Sequence, residues 1–140
     1  MAGAGKVLKA TLGLDDIIKI HHDMVLEFGG GFFIASEKNL INPGSLYYVL
    51  EEIQGFVFGY DRYRTVIEKA AILAWRIIQE HVFFDGNKRT GMAACEALLK
   101  LNHYDMLIDE ELITMAISIA EKKVEYSDFV KWLREKTTKA

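Results

Sequence analysis

The chain has 140 residues, enough for one domain that buries about two-thirds of its unfolded surface and needs no disulfide staples. Its net charge of −3 argues against a broad nucleic-acid surface, while leaving room for a local basic pocket. The single cysteine, Cys95, cannot form an internal disulfide, the opening MAGAGKVLKATLG lacks a signal peptide's apolar run, and no stretch reaches the ~18 apolar residues of a membrane span. These readings point to a cytoplasmic protein with no nucleic-acid or membrane partner. One proline and 51% hydrophobic residues, rich in Ala, Leu and Ile, favour a mainly helical chain.

In chain order, a first helix is expected from about Leu14 to Phe28. Leu14, Ile17, Ile18, His21, Met24, Val25 and Phe28 share one face at helical spacing. Asp15 and Asp16 suit its positive end, and Gly29, Gly30 and Gly31 stop it. Phe32 to Leu40 reads as a loop, either a plain connector or a lid or docking edge. Asn42-Pro43-Gly44 signals a second helix, with Asn42 as cap and Pro43 in the first turn; Gly55 and Gly59 mark its end. The third, from about Arg62 to Glu80, is apolar over most of its circumference and so belongs in the centre, running straight into His81. After HVFFDGNKRT a fourth runs to about Leu101, which Asn102 is expected to end in the left-handed conformation. Met106 to Ile108 form a short extended link, a fifth helix covers about Asp109 to Lys122, and Ser127 caps a sixth. The tail EKTTKA is expected to fray. The fold class is therefore all-α, a compact bundle of about six helices, one domain over 1–140 with a core from about 12 to 136.

The chemistry concentrates between the third and fourth helices. His81 to Thr90 holds a histidine, a carboxylate, a glycine, an amide, two cations and a hydroxyl. A helix start carries N–H groups without internal partners and partial positive charge. Gly86 and Asn87 entering a helix can therefore cradle an anion, with close approach at the glycine. Lys88 and Arg89 add full charges. Asp85 offers the single carboxylate that magnesium takes beside phosphate oxygens and water. His81 offers an imidazole, the side chain best suited to accepting a proton from an alcohol. Phe83 is the natural anchor of the loop. This is not a Walker A loop, since Asn87 precedes Lys88 and Val82 holds the place of the early glycine.

The segment resembles the signature of the Fic/Doc family. The Fic pattern, His-x-Phe-x-Asp/Glu-Gly-Asn-Gly-Arg-x-x-Arg, is matched by His81, Phe83, Asp85, Gly86, Asn87 and Arg89. Lys88 replaces its second glycine and Met92 its last arginine. Both departures fit the Doc branch, whose pattern His-x-Phe-x-Asp-Gly/Ala-Asn-Lys-Arg-Thr Thr90 completes. Leu14 to Gly30 with His22-Asp23, Asn42 to Leu46, and Glu68 to Ala71 are similar to neighbouring parts of the family, so the likeness covers about residues 12 to 136.

That resemblance implies a compact helical bundle and a transferase. In the Fic branch the histidine deprotonates a target hydroxyl that attacks the α-phosphate of ATP. In the Doc branch the nucleotide lies reversed, and a threonine of elongation factor Tu receives the γ-phosphate, arresting translation. Carried over, His81 is the general base, Asp85 holds Mg2+, and Gly86, Asn87, Lys88, Arg89 and Thr90 bind the nucleotide. A separate antitoxin protein is implied as partner. The inhibitory pattern Ser/Thr-x-x-x-Glu-Gly/Asn has no match; Thr65 to Glu68 and Ser118 to Glu121 are one residue short. Phosphorylation of a Ser/Thr hydroxyl is the favoured reaction and adenylylation the alternative. A metal phosphohydrolase using His22, Asp23, His81, Asp85 and His103, and a binder without activity, are the readings of other classes.

Overall fold

Ile17, His21 and Val25 recur every four residues, and that stripe is the buried face of α1 (Leu14–Phe28). The structure, a computed structural model, describes residues 10–29, 40–55 and 63–140. Most of the loop expected at Phe32 to Leu40 lies outside these residues. Five more helices follow: α2 (Pro43–Ile53), α3 (Val66–Gln79), α4 (Asn87–Leu101), α5 (Glu111–Ala120) and α6 (Tyr126–Lys136). A two-stranded antiparallel sheet joins β1 (Tyr104–Met106) to β2 (Thr137–Lys139), with Tyr104 opposite Lys139. Among the described residues the fold is all-α apart from this ribbon.

α3 is the central helix. It packs against α2, α4, α5 and α6, and Ala70, Ala71, Leu73, Ala74 and Ile77 are fully buried on several sides of it. Its neighbours contribute Leu46, Ile53, Leu98, Leu99, Ile119, Phe129 and Leu133 to one core. Each of the large aliphatic residues contributes about 1.5–3 kcal/mol by leaving water. Buried Glu52 on α2 meets Arg76 on α3 at 3.2 Å. That pair fixes the α2–α3 register, because either charge alone would be costly there.

Several element ends differ from the sequence reading, each for a local reason. α3 begins at Val66 because Thr65 and Glu68 form a reciprocal capping box, Thr65 Oγ1 accepting from the Glu68 N–H and Glu68 Oε1 from the Thr65 N–H, both at 3.0 Å. Asn42 makes no cap bond. Its Nδ2 instead donates to the Glu80 carbonyl at 2.9 Å, tying the start of α2 to the end of α3. Asn102 is not left-handed, with φ −106°. Its side chain donates to the Leu98 and Ala10 carbonyls, and His103, at φ 68°, makes the left-handed step instead. α6 is capped by Glu125, whose N–H is accepted by Asp128 Oδ2 at 3.0 Å, so Ser127 lies inside the helix. The tail does not fray. Thr137 and Thr138, β-branched and suited to a strand, pair with Met106 and Asp105, and the Ala140 N–H reaches the His103 carbonyl at 2.9 Å.

Among the described residues, no helix is long and apolar enough to cross a membrane. Cys95 is buried, and burial pushes its thiol pKa well up, so it is an inert core residue.

Candidate active site

The site begins with how closely two helices approach. A Cβ placed on Gly91 of α4 would lie 2.7 Å from Ile78 Cγ1 and 3.1 Å from the Ala74 carbonyl oxygen of α3. Only glycine fits that seam. The chain must therefore leave α3 and enter α4 through a tight connection, residues 80 to 86, and this connection is the polar segment singled out above.

The connection is pinned in stages. α3 ends at Glu80, and His81 takes φ 48°, an uncommon conformation for a residue with a side chain. The Val82 carbonyl accepts the N–H groups of Ile41 at 2.9 Å and Asn42 at 3.1 Å, and Phe83 forms a bridge with Leu40. Phe83 is fully buried, as an anchor should be. Asn87 then clamps it from the next turn: its Oδ1 accepts the Phe83 N–H and its Nδ2 donates to the Phe83 carbonyl, both at 2.9 Å. Beyond the anchor the backbone turns left-handed at Gly86, φ 78°, and α4 starts at Asn87, inside the motif rather than after it.

The start of α4 has the form of an anion site. Gly86 supplies no side-chain cap, and the first helical bond runs from the Thr90 N–H to the Gly86 carbonyl at 3.0 Å. The N–H groups of Asn87, Lys88 and Arg89 precede the ladder and concentrate positive potential at the helix end. The side chains of His81, Asp85, Lys88 and Arg89 are exposed around this end. The Asp85 carboxylate accepts the Gly86 N–H at 2.8 Å.

Two expected ligands are placed otherwise. The Asn87 carboxamide is committed to Phe83, which leaves its backbone N–H as the group it could offer to an anion. Thr90 is fully buried and its Oγ1 has no hydrogen-bond partner among the described residues; its side chain belongs to the inner face of α4, not to the exposed loop.

α1 braces the segment from below, through residues whose part the sequence reading missed. His21 is buried and its Nε2 lies 2.7 Å from the Asp85 carbonyl oxygen. A carbonyl only accepts, so Nε2 carries the hydrogen. Burial lowers the His21 pKa, the Asp85 carbonyl partly opposing it, which favours the neutral ring. The ring stacks on Phe83 at 4.0 Å between centroids and 5° between planes. Seven residues on, the Phe28 ring lies under the Arg89 guanidinium at 4.1 Å, a cation–π contact. The one available signal was a histidine at the centre of an otherwise apolar stripe.

A cavity of about 350 Å³ opens beside Lys88 and Arg89. Met24, Phe28, Met92, Ile108, Leu112 and Ile113 give it apolar walls, with Glu27, Glu96 and Asp109 at its edges. Neither His81 nor Asp85 lines it.

The set of residues weighed for a metal phosphohydrolase is not brought together. His103 follows α4, whose 15 residues span roughly 22 Å from the motif. Among the described residues, no three His, Cys, Asp or Glu side chains form a group that could hold a metal.

With this geometry in view, comparison with known proteins is direct. The Toxin Doc of Mycolicibacterium smegmatis (strain ATCC 700084 / mc(2)155) is 31% identical to the chain over 80 residues, which is 57% of the chain. The match spans 62% of that relative's length. The model of the Fic/DOC family matches residues 11–99, taking in the α1 brace, the pinned connection and most of α4. A match of that extent makes the chain a member of the Fic/DOC family.

Proposed function

We propose that this protein is a toxin-type phosphotransferase that moves the γ-phosphoryl group of ATP onto a Ser or Thr hydroxyl of another protein. The observation that carries this reading is the disposition of the cavity and the histidine about the start of α4. Lys88 and Arg89 line the cavity while His81 and Asp85 do not. A base seated against Met92, Ile108 and Leu112 would send its phosphates back across Lys88 and the α4 N-terminus, bringing the last phosphate, not the first, to His81.

The steps then follow from the residues. His81 accepts the proton of the acceptor hydroxyl as its oxygen bonds to the γ-phosphorus and the bond to the departing ADP oxygen breaks. Lys88, Arg89 and the N–H groups of Asn87 to Arg89 neutralise the charge that spreads over the phosphoryl oxygens. The donor set suits Mg2+: Asp85 gives one exposed carboxylate at the head of a phosphate cradle, the hard oxygen ligand that ion prefers. When bound, it supplies further charge neutralisation at the phosphates.

Elongation factor Tu is the first acceptor to test, and a cognate antitoxin protein the expected partner. A cytoplasmic setting is part of the same reading. The deciding measurement uses purified protein with Mg2+, elongation factor Tu and ATP labelled at either the γ or the α position, with His81→Ala as control. Label arriving from the γ position alone supports the proposal. Label arriving from the α position means adenylylation and overturns it.

A further inference from the structure

His21 stands where an apolar residue would serve the core as well. Ile17 and Val25, four residues before and after it on the buried stripe of α1, are both aliphatic. A buried imidazole needs a hydrogen-bond partner to be tolerated. Its partner lies in the phosphate loop, 64 residues away in sequence: the Asp85 carbonyl, 2.7 Å from Nε2. The same ring stacks flat on Phe83. It also lies under the left-handed turn, since a Cβ on Gly86 would come 3.7 Å from two of its ring atoms.

These contacts converge on one peptide unit. The Asp85 carbonyl belongs to the peptide whose N–H is that of Gly86, so fixing its oxygen fixes the direction of that N–H. It also fixes the turn that leads the chain into α4 and the backbone from which the Asp85 carboxylate hangs. We propose that His21 is a positioning residue for phosphoryl transfer, its Nε2–H orienting the Asp85–Gly86 peptide so that the α4 N-terminus and the Asp85 carboxylate address the nucleotide's phosphates. The inference rests on the reading of this loop as the phosphate site, but not on which phosphate is transferred.

Two substitutions separate the donor from the bulk of the ring. His21→Phe keeps an aromatic plane against Phe83 and removes the donor. His21→Gln keeps an N–H donor and removes the plane. Binding of inorganic triphosphate is measured by calorimetry on the full chain, alongside KM and kcat for ATP-dependent transfer and the melting temperature. His21→Phe is expected to melt close to the parent yet bind triphosphate at least about tenfold more weakly, with KM raised more than kcat is lowered, while His21→Gln regains most of the affinity. Triphosphate binding by His21→Phe equal to the parent overturns the proposal. So do equal losses in both variants, which would make the ring's volume the operative feature. Transfer of the α-label instead of the γ-label defeats the proposed reaction but leaves this inference decided by the triphosphate measurement. Failure of the parent itself to bind triphosphate overturns both.

Discussion

α3 and α4 pack along one seam and both reach into the core, but their N-termini are finished in opposite ways. At α3 the N–H groups are answered from within, Thr65 and Glu68 closing a reciprocal box. At α4 the first residue before the helix is a left-handed glycine with no side chain to offer. Three basic or amide residues follow, and a carboxylate and an imidazole stand nearby. Every helix starts with unpaired donors. A protein that wants only stability closes them, and an end left open beside Lys88 and Arg89 is a place for an anion. On the proposed function, the same elementary feature is structural in one helix and chemical in its neighbour.

The sharpest break of this contrast removes the base and leaves both helix ends alone. His81→Ala is expected to cost 10²- to 10⁴-fold in transfer rate, with circular dichroism unchanged; retention of even a third of the rate would disqualify His81 as the base. Next, Gly86→Ala strikes the open end. It places a side chain at φ 78°, 3.3 Å from Val25 Cγ2, at about 1–2 kcal/mol for the conformation alone. Nucleotide binding by calorimetry should fall further than the melting temperature implies. Thr65→Ala strikes the closed end, where the loss should be about 1 kcal/mol of stability in urea unfolding and none of the transfer rate. A drop in rate there would erase the distinction between the two ends.

The smallest effect concerns the last turn of α6. Lys136 Nζ lies 2.8 Å from both Asp109 Oδ2 and Glu111 Oε1. Its hydrogen bonds hold both carboxyls below their usual range and raise the lysine above its own. Groups with depressed folded pKa values add stability above the ordinary carboxylate range, and that stability fades as pH falls through their folded values. Lys136→Met should therefore melt below the parent at neutral pH, with the gap closing as pH falls below the ordinary carboxylate range. A gap independent of pH would point to lost packing on Trp132 rather than lost charge.

What the sequence discloses differs between the two helices as well. The apolar stripes of α1, α3 and α4 repeat within a few residues, so periodicity reveals them, and the motif is dense enough to identify its family by itself. Contacts between distant segments leave no such trace. Thr65 and Glu68 fall one residue short of an inhibitory pattern in sequence, whereas in space they close the α3 capping box. Asn42 looked like a cap, but its best partner, the Glu80 carbonyl, lies 38 residues away. Asn87 fell among expected phosphate ligands, although its carboxamide serves Phe83. Thr90 completes the motif in sequence and is buried in space. β2 was missed because a three-residue strand exists only by virtue of β1, more than thirty residues earlier. His21 was visible as an exception within a stripe, and only tertiary structure could say that the exception serves the loop.

The glycine at the α3–α4 seam sets a boundary on how this site can be retuned. Any larger residue at Gly91 would drive the two helices apart and carry the end that bears His81 away from the start of α4. Lys88 and Arg89 project outward, clear of that seam. Engineering or natural drift therefore has two unequal kinds of freedom here. On the proposed function, outward positions can be exchanged to change which ligand is taken or how it lies, while the spacing of the two helix ends stays at a single value set by the absence of one methyl group.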